Sequence, residues 1–310
     1  MFRDNDRLDN ALACAAARRT APPPTPLPQP AMPTQTEKAQ AFRALHERSG
    51  AFVIPNPWDP GSARLLAVLG FEALTSTSAG FAFSRGLPDY GAGRDAILAH
   101  VADLAAATDL PVAADLENGF GDDPQTVAET IRLAGATGIV GGSIEDATGR
   151  ADTPIYPLEA AAERIRAAVE AARSLPFPFT LTARAENHLH GRNDLADTIR
   201  RLQTYQDAGA DVLYAPGLKT REEIATVLRE VDRPVNVLMG FADGNLSVAE
   251  LATLGVKRVS VGGALARAAL GAFLRAAEEL RATGTFAFAH DAAGTARLNG
   301  LFAPFAPTLA

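Results

Sequence analysis

The stretch Val112–Asp123, V-A-A-D-L-E-N-G-F-G-D-D, ends a short apolar run with two carboxylates spaced two residues apart. Residues two apart on a β-strand point to the same side, so Asp115 and Glu117 are expected to project together from a strand end. Carboxylates held that close resist ionisation unless a positive charge sits between them, and a bound divalent cation removes the cost. Asp89 follows the second strand-like run and Glu145 ends the fourth. Adjacent strands lie about 4.8 Å apart, so Asp89, Asp115, Glu117 and Glu145 can converge on one patch. Mg²⁺ suits such an all-oxygen patch, because it keeps several waters and needs only one or two direct carboxylates; Mn²⁺ is its natural substitute. Zn²⁺ is disfavoured, since no His or Cys stands at a strand end with ligand spacing.

Each of these residues also has a plainer reading. An acid after a strand often caps the next helix; Asp122 and Asp123, just before Pro124, read as caps, and Asp146 as a cap or a partner of its own loop. Arg184 either pairs with Glu145 or Glu186, or offers its planar fork to a substrate carboxylate or a developing enolate oxygen. His188 and His190 in N-H-L-H-G read as a mobile loop rather than a metal pair. Gly262-Gly263 is an anion-holding turn or simply a tight one. The case for a metal rests on acids recurring after three successive strands. Tyr214 and Asn236, at the sixth and seventh strands, complete the candidate substrate-binding set.

The elements that must position these residues come in a regular beat. Apolar runs at 51–55, 72–77, 111–115, 138–146, 179–184, 211–216, 234–239 and 258–262 alternate with helical stretches, the second run being followed by a long Gly-rich loop to Gly93. Glycines after apolar helix ends (Gly70, Gly138, Gly209, Gly255) mark left-handed caps. The runs are continuously apolar, as strands buried on both faces are. Eight such units over about 250 residues predict an α/β fold of the (β/α)8 barrel type. A doubly wound open sheet is the rival, weakened by the absence of a Gly-rich dinucleotide fingerprint after the first strand.

Residues 1–33 differ from the rest. P-P-P-T-P-L-P-Q-P at 22–30 cannot pack a core and reads as extended polyproline, so a disordered extension or an over-extended gene start is expected there, with the barrel at 34–285. A signal peptide is not expected. The apolar, non-periodic stretch 286–310 reads as a packing segment at a subunit contact. A net charge of −7 and 6% aromatic content argue against nucleic-acid binding, and no apolar run reaches the roughly 20 residues of a membrane span. The single cysteine, Cys14, leaves no intrachain disulfide and fits the cytoplasm.

From about Phe42 to Phe286 the chain resembles the isocitrate lyase/phosphoenolpyruvate mutase superfamily. The resemblance is carried by N-P-W-D-P-G-S-A-R at 56–64, T-S-T-S-A-G at 75–80, A-D-L-E-N-G-F-G at 114–121, S-I-E-D at 143–146, T-A-R-A-E at 182–186 and A-G-A-D-V-L-Y-A-P-G at 208–217. It implies a Mg²⁺-dependent barrel acting on small 2-oxo or 2-hydroxy acids through enolate-like species. It also implies a homodimer or homotetramer with the last helix exchanged between subunits. Asp115 matches the direct metal ligand, and Asp89, Glu117 and Glu145 match acids holding metal-bound waters. Ser78, Ala79 and Gly80 match the oxyanion and carboxylate loop, and Arg184 the substrate-binding arginine.

The departures narrow the activity. The K-K-C-G-H gating loop of the isocitrate and methylisocitrate lyases is replaced by A-T-G-R-A-D-T-P at 147–154, so a cysteine acid is excluded. The His and Ser that phosphonate enzymes carry after the sixth strand are Pro216 and Gly217, and the aromatic two before the oxyanion-loop serine is Ser76. The leading expectation is a C–C lyase or decarboxylase for a small 2-oxo or 2-hydroxy (di)carboxylic acid. Tyr214 or His188 is the candidate base should the cleavage need one. Phosphonate P–C chemistry and a non-catalytic ligand-binding barrel are the alternatives.

Overall fold

Eight short strands and the helices between them account for most of the molecule. The computed structural model describes residues 32–242 and 244–306, and the described residues from Pro33 onward form one compact unit. The expected disordered extension at 1–31 lies outside the described residues, as does the end of the tail. The strands β1 (Phe52–Ile54), β2 (Leu74–Thr75), β3 (Val112–Asp115), β4 (Gly141–Glu145), β5 (Thr180–Arg184), β6 (Val212–Tyr214), β7 (Val235–Leu238) and β8 (Arg258–Ser260) are all parallel. They run β1-β8-β7-β6-β5-β4-β3-β2, with β1 hydrogen-bonded to β8. This is a nearly closed (β/α)8 barrel. Between β1 and β2 there is no ladder; Thr75 N–H donates to Pro55 O (3.1 Å) and the Asn56 amide donates to Ser76 O (2.9 Å).

The helices follow their sequence signals closely. The first, α1 (Gln35–Glu47), starts at a Thr34–Glu37 capping box and closes the N-terminal end of the barrel. Its Phe42 ring fills the space a Cβ at Gly141 would need, and its His46 packs edge-on to Phe42 and Phe52. Next come α2 (Pro60–Val68), α3 (Ser78–Ser84), α4 (Arg94–Ala107), α5 (Pro124–Gly135), α6 (Leu158–Arg173), α7 (Leu195–Asp207), α8 (Arg221–Glu230), α9 (Val248–Leu254) and α10 (Ala264–Thr283). α3 corrects the expected long loop after β2: Thr77 caps it by accepting from Gly80 N–H, and it packs on α4. The tail holds a helix, α11 (Thr295–Phe302), that lies against α2, with Arg64 over the Phe305 ring.

One helix is barely covered. Of the twenty residues of α10 only Ala266 is buried, while Phe273 (67% exposed) and Leu274 (56%) face outward. None of the helices among the described residues is long and apolar enough to cross a membrane.

Candidate active site

Strand alternation turns Asp115, Ser143, Glu145, Thr182, Arg184, Tyr214, Asn236, Arg258 and Ser260 toward one cleft of about 420 Å³ at the barrel's centre. Register brings the charged ones together: Glu145 pairs with Arg184 across β4–β5, and Arg184 with Tyr214 across β5–β6. The buried Arg184 guanidinium meets three carboxylates, Asp115 Oδ1 at 2.9 Å, Glu145 Oε2 at 3.0 Å and Glu186 Oε1 at 2.8 Å. It also lies over the Tyr214 ring, 5.2 Å from its centroid. Asp115 is held from the other side by Ser78, whose Oγ and N–H donate to Oδ2 (2.7 and 3.2 Å), and its own N–H donates to Ser76 Oγ (2.9 Å). The Tyr90 hydroxyl donates to Glu145 Oε1 at 2.6 Å.

Glu117 arrives at the cluster by a route the strand pattern does not give. β3 ends at Asp115, and Glu117 sits in the left-handed region (φ 49°) where the chain turns into Asn118-Gly119. The two acids are therefore not on one pleat face. Glu117 is 5% exposed, and its Oε1 has no hydrogen-bond partner.

Five carboxylates (Asp89, Asp115, Glu117, Glu145, Glu186) thus crowd one guanidinium, and the electrostatics register the surplus. Burial, then the charges of Asp115, Glu145 and Asp89, push the Glu117 carboxyl up to about 8. Burial and Asp115 raise Asp89 as well. Burial raises Glu145 and Glu186 despite the arginine beside them. An unpartnered buried oxygen within an all-oxygen, over-negative set fits a hard divalent cation. Among the described residues no three His, Cys, Asp or Glu side chains close on one point as a complete ligand set.

A raised carboxyl binds its proton more tightly folded than unfolded, so it destabilises the fold as pH climbs from the unfolded value toward the folded one. For Glu117 that window runs from its ordinary 4.5 to about 8. Glu117→Gln is therefore expected to stabilise the metal-free protein by roughly 4 kcal/mol at pH 8 and by almost nothing near pH 4.5. Thermal melts at the two pH values check this; an equal shift at both, or none, would contradict it.

Of the residues expected at the site, Ser78, Ala79, Asp89, Asp115, Glu145, Arg184, Tyr214 and Asn236 line the cleft. Glu117 and Gly80 do not; the Gly80 N–H is taken by Thr77 Oγ1 (3.1 Å), and a Cβ on Gly80 would meet Thr77, Ala266 and Trp58. It is a close-packing glycine rather than an anion donor. At the β8 turn, Gly262 N–H donates to Asn56 Oδ1 (2.9 Å), so that amide is already spent. Asp123 caps α5 as expected, but Asp122 does not; it takes Arg150 bidentately (2.9 Å each) and the Tyr156 hydroxyl. Asp146 binds the Glu186 N–H, Arg201 and the Tyr205 hydroxyl, a purely structural use. His188 packs under Gly217, while His190 reaches the cleft. Ser76 and Ser260, at the ends of the second and eighth strand-like runs, and Asn56, in N-P-W-D-P-G, had a signal but were assigned no role; Tyr90 and Arg258 were not anticipated.

Comparison with known proteins agrees with this geometry. The family model described as phosphoenolpyruvate phosphomutase matches residues 42–281. A Burkholderia cenocepacia J2315 protein assigned to the broad class lyase/mutase is 69% identical, with a TM-score of 0.85 over 88% of this chain and 97% of that one. Oxaloacetate decarboxylase of Pseudomonas putida (strain GB-1) is 30% identical over 238 residues, 74% of this chain and 80% of the relative. A phosphonopyruvate hydrolase solved with oxalate and Mg²⁺ is 25% identical, with a TM-score of 0.75 over 86% of this chain and 95% of the other. The chain belongs to the phosphoenolpyruvate phosphomutase family, and through it to the isocitrate lyase/phosphoenolpyruvate mutase superfamily.

Proposed function

We propose that this protein is a Mg²⁺-dependent lyase or decarboxylase that cleaves a C–C bond in a small 2-oxo or 2-hydroxy (di)carboxylic acid, oxaloacetate-like, through an enolate. The observation that carries the reading is the crowd of carboxylates around Arg184 with one buried Glu117 oxygen left unpartnered. Asp115 would hold the ion directly, with Asp89, Glu117 and Glu145 acting through waters. Bound there, the ion supplies Lewis acidity toward a substrate carboxylate and its neighbouring oxygen. The likeness to an oxaloacetate decarboxylase and to a hydrolase that binds oxalate with Mg²⁺ supports the same substrate class.

The chain's own residues do the rest. A guanidinium has five N–H donors; Arg184 gives two to carboxylates, Nε to Glu186 and Nη1 to Asp115, with Nη2 ion-paired to Glu145, and the remainder can bind an anionic substrate oxygen as charge builds on it. The 147–154 segment is anchored to the loop after β3 through Arg150 and Asp122, and is closed on itself by Thr148 N–H donating to Pro154 O. It carries no cysteine, lysine or histidine. Loss of CO₂ needs no base at the breaking bond, which suits a cleft wall without one. P–C bond cleavage is the second reading, favoured by the likeness to phosphonopyruvate hydrolase. The bare apolar flank of α10 supports a homodimer or homotetramer in which that helix is exchanged.

Turnover screened across oxaloacetate, methylisocitrate, dimethylmalate and phosphonopyruvate, with and without Mg²⁺, tests this. Mg²⁺-dependent decarboxylation or cleavage of a carbon acid is expected. Exclusive phosphonopyruvate turnover would install the second reading, and folded protein inert toward all four would end both.

A further inference from the structure

One tyrosine ties a loosely held loop to the barrel wall. Residues 85–93 join α3 to α4, and none of them is buried. Gly86 (φ 72°) and Gly93 (φ 74°) bracket the segment, both left-handed and with open space where a Cβ would stand. Between them there is little hold. Leu87 N–H donates to Ala82 O at the root of the loop, Gly91 N–H donates to Pro88 O within it, and Ala92 packs against the core. Among the described residues, one hydrogen bond carries 88–92 across to the strand ends: the Tyr90 hydroxyl on Glu145 Oε1 (2.6 Å).

The backbone there aims two neighbours at one place. In extended chain, consecutive side chains point to opposite sides, yet Asp89 and Tyr90 both line the cleft. Tyr90 is itself left-handed (φ 61°), a conformation that a bulky side chain keeps only where its surroundings hold it. Its N–H donates to Asp89 Oδ1 (3.0 Å), so the turn that brings the ring inward also fixes the carboxylate. Glu145, which receives the hydroxyl, is 2% exposed, and its other oxygen meets Arg184 Nη2 at 3.0 Å. A carboxylate has about four lone-pair sites, so Glu145 takes both partners and can still accept from water. It stands on β4, which pairs with β5 over five residues. Tyr90 therefore reaches from a weakly held loop to a firmly held strand, with Asp89 one residue away. The tether also has a force to resist, because the charge of Asp115 repels Asp89.

On the Mg²⁺ reading above, we infer that Tyr90 is the positioning residue that delivers Asp89 to the metal site, by pinning the 85–93 loop to Glu145. Tyr90 acts through Asp89 and not as a ligand. Without the hydroxyl the loop keeps its internal bonds and Ala92, and Asp89 is no longer fixed beside Asp115.

The test titrates Mg²⁺ alone into the full-length protein by calorimetry, for wild type, Tyr90→Phe, Asp89→Asn and the double variant. Tyr90→Phe keeps the ring and removes only the hydroxyl. It should weaken Mg²⁺ binding about tenfold, as should Asp89→Asn. The double variant should stay within about threefold of Asp89→Asn, since a residue that acts through Asp89 has nothing left to place. Trypsin gives the second readout, because Arg85 lies at the root of the loop. Metal-free Tyr90→Phe should be cut after Arg85 about tenfold faster than wild type. A Tyr90→Phe protein that binds Mg²⁺ within about threefold of wild type, or is cut no faster, overturns the assignment. So do losses that multiply in the double variant, which would make Tyr90 and Asp89 independent. Wild type that binds no Mg²⁺ overturns the metal reading instead.

Discussion

Asp115→Ala is expected to lower turnover by about 10³-fold or more while leaving the barrel folded. Asp115 gathers four of the site's contacts: Ser76, Ser78, Arg184 and the Glu117 N–H all touch it. Removing it takes away the carboxylate assigned to direct metal contact. It does not strand Arg184, which keeps Glu145 and Glu186. It also relieves Glu117 and Asp89 of one neighbouring negative charge. The metal-free melting temperature should therefore hold or rise, and the rise in melting temperature that Mg²⁺ gives the wild type should vanish. Asp115→Asn, which keeps an acceptor for Ser78, should be equally inactive. Full activity in either variant would end the metal-site reading, and a melting temperature lower by more than a few degrees would show that the acid is structural.

Arg184→Met carries the opposite signature. It removes the one cation from among three carboxylates, two of which, Glu145 and Glu186, are almost wholly buried. Breaking a buried pair by deleting one partner costs about 3–5 kcal/mol, because the remaining charge is left uncompensated. Both carboxyls are already raised, and without the arginine they rise further. The sign follows from linkage: a carboxyl protonated when folded but ionised when unfolded costs stability as pH increases. The deficit of Arg184→Met should thus be large at pH 8 and shrink toward pH 5. Denaturant melts at the two pH values test this. A deficit independent of pH would mean that the guanidinium stabilises by packing on Tyr214 rather than by charge. Activity should fall with stability, and Mg²⁺ should raise the melting temperature of this variant more than that of wild type.

The architecture was legible because the punctuation is strong. α6, α9 and α10 begin and end where the apolar beat and the flanking Pro or Gly place them. α3 was not legible: S-A-G-F-A-F-S has poor helical propensity, and the helix exists through its Thr77 cap and its packing on α4. In the site, Asp115, Glu145 and Arg184 could be read because each terminates an apolar run. Tyr90 could not, since its bond to Glu145 spans 55 positions and depends on how the intervening loop folds back. Arg258 was hidden for a different reason. A K-R pair at a strand start reads as surface, and only the β7–β8 register, which sets Arg258 beside Asn236, turns one of the two inward. Asp122 shows the limit of cap signals: two adjacent acids before a proline look alike, and tertiary partners decide which one caps.

The junction between β1 and β2 has a mechanical meaning. The other strand neighbours share ladders of two to five residue pairs, but here one main-chain bond and the Asn56 side chain hold the wall together. Shear along that line severs little, so the barrel wall has a compliant side and a stiff one. Ser76 and Ser78, which grip Asp115, stand on the compliant side, whereas Glu145 and Arg184 stand on the stiff side, joined by the longest ladder in the sheet. Asp115 is thus clasped between a yielding jaw and a fixed one. A ligand that spreads the cleft will be accommodated by the first without disturbing the alignment of the second.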